Sequence, residues 1–169
     1  MARTKPRAAR PREPGSNPDI AAFREGLRGK RGAETAHLRL LGLAPVDPMA
    51  LVARIRTGLS YGALERFQRN IALTTEQLAA LIQVNPRTLA RRRAEGKLAA
   101  DESDRLVRAS RLFGLVLGLF EGDGDAAREW LGARAPALGG VTPLAAAETE
   151  AGAREVENLV GRLEHGVFP

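Results

Sequence analysis

The 169-residue chain contains no cysteine. That absence excludes a disulfide framework, a thiolate nucleophile and any zinc site built on sulfur. The only histidines, His37 and His165, lie too far apart to give a local metal-ligand spacing or to support a histidine-based catalytic dyad, so each is expected to be structural or at the surface. No apolar run approaches the roughly eighteen residues that a membrane span needs. The longest dense stretch, Leu112 to Phe120, has nine positions. No alternating strand pattern of useful length and no internal repeat is present, so the expected fold class is all-α. Paired carboxylates beside an acid/base partner are also missing, as is a glycine-rich phosphate loop following a strand. The sequence therefore predicts no enzyme, catalytic residue, metal or cofactor, but a soluble protein with no membrane partner and a cytoplasmic home.

What is present is a core-forming chain, 44% hydrophobic, whose net charge of +6 is unevenly distributed. Residues 1–32 hold nine Lys/Arg against three Asp/Glu, whereas the remainder is balanced. Within that remainder, residues 112–169 carry four basic and nine acidic side chains. Such asymmetry suggests two partners of opposite charge. Residues 1–33, rich in proline, glycine and arginine, read as a disordered basic arm with helical spacing only around Ile20, Phe23 and Leu27. The arm either strengthens DNA binding by releasing counterions or is a solvated tail.

The most informative stretch is TTEQLAALIQVNPRTLARRRAEG, from Thr74 to Gly96. Thr74 with Gln77 forms a capping box, and Leu78, Leu81 and Ile82 give the helix that follows one apolar face, with Ala79 and Ala80 small enough for close crossing. Val84 can plug the corner, and Asn85–Pro86 starts a second helix running to about Glu95. This is the pattern of a helix-turn-helix DNA reader. Leu89 anchors the second helix, Arg87, Thr88 and Arg91 are placed to meet base edges, and Arg92, Arg93 and Lys97 suit phosphates. The competing reading is a solvated basic face on an ordinary helical hairpin.

Around the reader the spacing predicts further helices. Residues 33–47 are an unassigned link. Asp47–Pro48 opens a helix with Met49, Val52 and Ile55 on one face, ending near Gly58, and Ser60 caps the next, with Leu64 and Phe67 inward. Asp101 begins a long helix bearing Leu106, Ala109, Phe113, Val116, Leu117 and Phe120. Its second half is apolar nearly all round, which suits a domain junction, a dimer contact or a simple core helix. A short helix carries Trp130, ALGGVTPL forms an ordered turn, and Thr149 caps a last helix with Val156, Leu159, Val160 and Leu163 on one face, ended by Gly166. The expected domains are the arm at 1–33, a reader at 34–111 and a small helical unit at 112–169.

From Pro48 to Pro169 the chain resembles the antitoxins of the Xre/MbcA/ParS type, which pair with RES-domain toxins. The resemblance rests on RTLARRRAEGKL followed by DESDRL, then REWL, ALGGVTPL and TEAGAREVENLVGRLEHGV in that order. Asn158 stands where an acidic residue is expected. The resemblance implies an Xre-like helix-turn-helix domain followed by a C-terminal toxin-binding domain. It also implies a homodimer that binds its own promoter and covers the active site of a cognate NAD-degrading RES toxin. By matching positions, Arg162, Glu164, His165 and Gly166 are the residues to reach the toxin, although spacing alone favours simple C-capping beside Gly166 for Glu164 and His165. A stand-alone transcriptional regulator using the same reader residues is the alternative.

Overall fold

Short polar residues placed just ahead of a proline or an apolar run decide where most helices begin. The computed structural model describes residues 17–27 and 35–166. In it Asn17, Asp47, Ser60, Thr74, Asn85, Asp123, Thr142 and Thr149 each lend a side-chain oxygen to a first-turn N–H that has no partner within its helix. The helices so started are α1 (Pro18–Gly26), α2 (Pro48–Thr57), α3 (Tyr61–Ile71), α4 (Thr75–Leu81), α5 (Pro86–Glu95), α7 (Gly124–Gly132), α8 (Pro143–Ala146) and α9 (Glu150–Glu164). The long α6 (Ala100–Leu119) begins differently, with the Glu102 carboxylate accepting the Ala99 N–H at 2.7 Å. Short 3₁₀ turns span Ala36–Leu41 and Pro136–Leu138. No strand occurs among the described residues, and the fold is all-α.

Helix α6 is the spine. Leu106, Val116 and Leu117 on it are fully enclosed, and it packs against the first 3₁₀ turn, α2, α3, α7 and α9. Phe67 of α3 meets Phe113 of α6 edge to face, ring centres 6.2 Å apart and planes at 88°, a geometry that places a ring's positive edge on its neighbour's negative face. The expected boundary between residues 111 and 112 falls inside this unbroken helix, which serves both flanking units.

Two stretches differ from the sequence reading. Residues 18–26, assigned above to the basic arm, form α1 and bury Ile20 and Phe23 in the main core. Asn17–Pro18 caps this helix as Asn85–Pro86 caps α5. A polar clamp fixes it: the Arg66 guanidinium donates to both Asp19 oxygens at 2.8 and 2.7 Å, and Asn70 Nδ2 donates to Asp19 at 2.9 Å and to the Leu40 carbonyl at 2.8 Å. Burial of Asp19 opposes its ionisation, but the hydrogen bonds from Arg66 and Asn70 outweigh it and hold the carboxyl below its ordinary value. The rest of the expected arm, residues 1–16 and 28–33, lies outside the described residues.

The unassigned link contains the 3₁₀ turn Ala36–Leu41, where Ala36, Leu38, Leu40 and Leu41 are all buried. In α2 the packed residues are Leu51 and Ile55, whereas Met49 is 73% exposed. Of the three residues expected to share a face, only Ile55 packs against the core, and Val52 is exposed like Met49. Gly58, at the end of α2, has φ +85 and sits so close to the chain that an added Cβ would fall 2.2 Å from the Leu98 carbonyl oxygen. Only glycine fits there.

Candidate functional site

The reader is built as its residues dictate. Thr74 Oγ1 accepts the Gln77 N–H at 3.2 Å and Gln77 Oε1 accepts the Thr74 N–H at 2.9 Å, completing the capping box of α4. Val84 is buried and plugs the corner, its N–H bound to the Ala79 carbonyl at 2.8 Å. Asn85 Oδ1 accepts the Thr88 N–H at 2.8 Å. Leu89 is the one buried residue of α5. Beyond the helix, Tyr61 N–H donates to the Gly96 carbonyl and Leu98 N–H to the Leu59 carbonyl, each at 2.9 Å, which ties the far end of α5 to the start of α3. The helix is thus pinned at both ends and by Leu89, with its remaining face outward.

That outward face carries Arg87 and Arg91, both exposed, beside a half-exposed Thr88. Arg87 and Arg91 are one turn apart, which makes them neighbours on the helix surface. The Arg91 side chain is 61% exposed and only loosely near Glu95, at 3.6 Å. Arg93, 73% exposed and 3.7 Å from Glu65, and the exposed Lys97 flank the face. Arg92 does not join them. Its side chain is 18% exposed and turned inward, held by Glu102 at 2.7 Å and Glu95 at 2.8 Å. Carboxylates that already satisfy a guanidinium leave it little to offer a phosphate, so of the six residues read as DNA contacts Arg92 is turned to its carboxylate partners while Arg87, Thr88, Arg91, Arg93 and Lys97 are exposed or half-exposed.

The second group lies at the end of α9. Val156, Leu159 and Val160 bury one face of this helix, and α9 is tied to α6 by Arg111 to Glu157 at 2.8 Å and by an Arg108–Glu150 ion pair. Glu164, His165 and Gly166 are exposed, and His165 is also the C-cap, its N–H bound to the Gly161 carbonyl at 3.2 Å. Capping and exposure coexist there. Arg162 is half-buried, with an Nε that has no hydrogen-bond partner. Trp130 packs against Phe120, ring centres 6.4 Å apart, and Pro143 is buried, whereas Leu138 is half-buried and Val141 is exposed.

Sequence reasoning passed over two residues: Glu102, whose signal is its place three positions after the Ala99 cap, and Gln83, whose left-handed backbone nothing in its identity announces. An apolar cavity of about 150 Å³ lies between α3, α4, α6 and α7, walled by Phe67, Ile71, Leu81, Leu112, Phe113 and Leu131, with Gln77 and Arg128 as its long polar side chains. That lining suits packing, not acid/base chemistry.

Two family models match the chain. An antitoxin Xre-like helix-turn-helix domain covers residues 50–111, and an antitoxin Xre/MbcA/ParS C-terminal toxin-binding domain covers residues 117–166. Among curated proteins the chain is 34% identical over 131 residues to Antitoxin Xre of Yersinia enterocolitica, covering 77% of this chain and 88% of the relative. It is 33% identical over 130 residues to Antitoxin Xre of Photorhabdus laumondii, covering 76% and 88%. A more distant relative, the Prs ADP-ribosylating antitoxin of a Sphingobium species, is 24% identical over 158 residues, covering 88% of this chain and 99% of its own.

Proposed function

The chain belongs to the Xre antitoxin family, and we propose that it restrains a RES-domain, NAD-degrading toxin and represses its own promoter as a homodimer in the cytoplasm, without catalysing a reaction itself. The observation that carries the DNA half is the outward face of α5. Arg87 and Arg91 project from a helix fixed by Leu89 and by its caps, which suits bidentate bonding to guanine, while Arg93 and Lys97 flank it at phosphate positions.

The toxin half rests on the family match over residues 117–166 and on the exposed end of α9. A RES toxin must hold an anionic dinucleotide with cationic groups. A carboxylate such as Glu164 can pair with those cations, and His165 and Arg162 beside it can fill the remaining space, so that substrate and antitoxin compete for one pocket.

The deciding experiment co-expresses the chain with the product of the neighbouring reading frame and follows cellular NAD. NAD falls with the toxin alone and is preserved when both are made. Because one distant relative is named Prs ADP-ribosylating antitoxin, the same extracts are probed for protein-bound ADP-ribose. Loss of NAD with free products supports hydrolysis, and label on protein supports transfer. A neighbour that leaves NAD and growth untouched rejects the toxin half, leaving the stand-alone regulator.

A further inference from the structure

Folded cores leave few voids larger than a water molecule. The cavity of about 150 Å³ between α3, α4, α6 and α7 is one, kept open by small residues on its walls, Ala109, Gly132 and Ala147. Phe67, Ile71, Leu112, Phe113 and Leu131 on those walls are buried, whereas Ala72, Gln77 and Gly132 are exposed and Arg128 is half-buried, so an apolar interior meets solvent at a polar opening. The opening offers donors. Gln77 Oε1 is occupied by the Thr74 N–H at 2.9 Å, which leaves its amide N–H groups for another acceptor. Arg128 donates to the Asn70 carbonyl at 3.2 Å and pairs with Asp125, itself 85% exposed, and these bonds use two of the five N–H groups that a guanidinium has. No Asp or Glu is among the lining residues.

We propose that this cavity binds a small monocyclic aromatic acid. Apolar cavities of this volume stay dry and accept a guest of about benzene's bulk, and the Phe67–Phe113 pair, edge to face at 6.2 Å, gives a third ring both an edge and a face to pack on. One ring fills the interior, and a carboxylate carried just beyond it reaches the opening, where the Arg128 guanidinium and the Gln77 amide donate to it. A neutral guest would leave those donors to water. The walls come from both family-matched stretches, Phe67 and Gln77 from residues 50–111 and Arg128 and Leu131 from residues 117–166, so the bound acid fastens the two units together. The site is apart from the outward face of α5 and the end of α9, and it does not depend on the function proposed above.

The test titrates the full chain with phenylacetate, with toluene, which has the ring without the carboxylate, and with acetate, which has the carboxylate without the ring, following methyl NMR signals and the melting temperature. Phenylacetate is expected to shift the Ile71, Leu112 and Leu131 methyls saturably and, at about ten times its Kd, to raise the melting temperature by about 3–6 °C. Toluene should bind at least about fivefold more weakly, and acetate should move neither signal. Arg128→Gln is expected to bring phenylacetate down to the affinity of toluene while toluene still binds, which shows the cavity intact. Ala109→Leu and Ala147→Leu fill the space from different elements, and each is expected to abolish binding of both ligands while keeping dispersed, folded methyl spectra. Wild-type affinity for phenylacetate in both filling variants puts the ligand elsewhere and overturns the site, as does the absence of saturable shifts in the wild type. Toluene bound as tightly as phenylacetate overturns the assignment to an acid.

Discussion

Arg92 Nε donates to both carboxylate oxygens of Glu102, at 3.0 and 2.7 Å, and the same carboxylate accepts the Ala99 N–H at 2.7 Å. One buried acid therefore caps α6 and fastens α5 to it. Glu102→Ala leaves the Arg92 Nε and a helix-start N–H without an acceptor, although Arg92 Nη1 keeps Glu95, and is expected to cost about 1–3 kcal/mol of stability. Arg92→Ala should also lower the urea midpoint, whereas Arg93→Ala, at an exposed position, should stay within about 0.5 kcal/mol of the wild type. Equal midpoints for the Arg92 and Arg93 variants would contradict this division.

The outward pair predicts a different signature. Arg87→Ala and Arg91→Ala are each expected to weaken binding to the upstream DNA and relax preference for it, by about 1–3 kcal/mol of discrimination per lost bidentate contact. Arg93→Ala should weaken binding about equally on all sequences and lower the salt slope by about 1. Titrations of operator and scrambled duplex over a salt series separate the two effects. A double Arg87/Arg91 variant that binds the operator like wild type would show that this face is merely solvated.

Acid should loosen the seam where α1 meets α3. Asp19 has a folded pKa below its unfolded value because Arg66 and Asn70 bind the carboxylate. Its contribution is thus complete above the unfolded pKa and is lost as pH falls through the folded one. Asp19→Ala is expected to cost about 1–3 kcal/mol at neutral pH. The gap between variant and wild type should close as the pH is lowered to about 3 and below, into and under the ordinary aspartate range. Urea midpoints measured side by side cancel the other carboxylates. A gap independent of pH would assign the loss to packing instead.

Local chemistry made much of this molecule legible. The Thr74–Gln77 box, the Asn85–Pro86 start and the Leu89 anchor needed only capping rules and spacing, and the structure contains all three. The 3₁₀ turn at 36–41 escaped because its residues are buried on nearly every side, which leaves no polar face and hence no period to read. Helix α1 escaped because the surrounding basic composition masked its Asn17–Pro18 start. Arg92 could not be told from Arg93 by sequence, since what separates them is Glu102, which lies ten positions on and is brought opposite by the chain reversal at Gly96. Gln83 illustrates the same limit, as its partner Glu148 is sixty-five residues away.

The end of α9 is where folding and partner binding must be told apart. Removing residues from Arg162 onward deletes the exposed corner but also the last turn of a helix whose Val156, Leu159 and Val160 are buried, so truncation alone is ambiguous. Glu164 and His165 are exposed, and substitutions there are expected to stay within about 0.5 kcal/mol of wild-type stability. If the corner enters the toxin's pocket, Glu164→Lys sets like charges against each other in a desolvated site and should weaken toxin binding at least tenfold, roughly 1.4 kcal/mol or more. Operator affinity in the absence of toxin should be unchanged for this variant and largely retained by the truncation, while protection of toxin-expressing cells fails in both. A Glu164→Lys chain that still protects, with wild-type toxin affinity by calorimetry, would place inhibition on another face of residues 117–166 and reduce Glu164 and His165 to the closing turn of a helix.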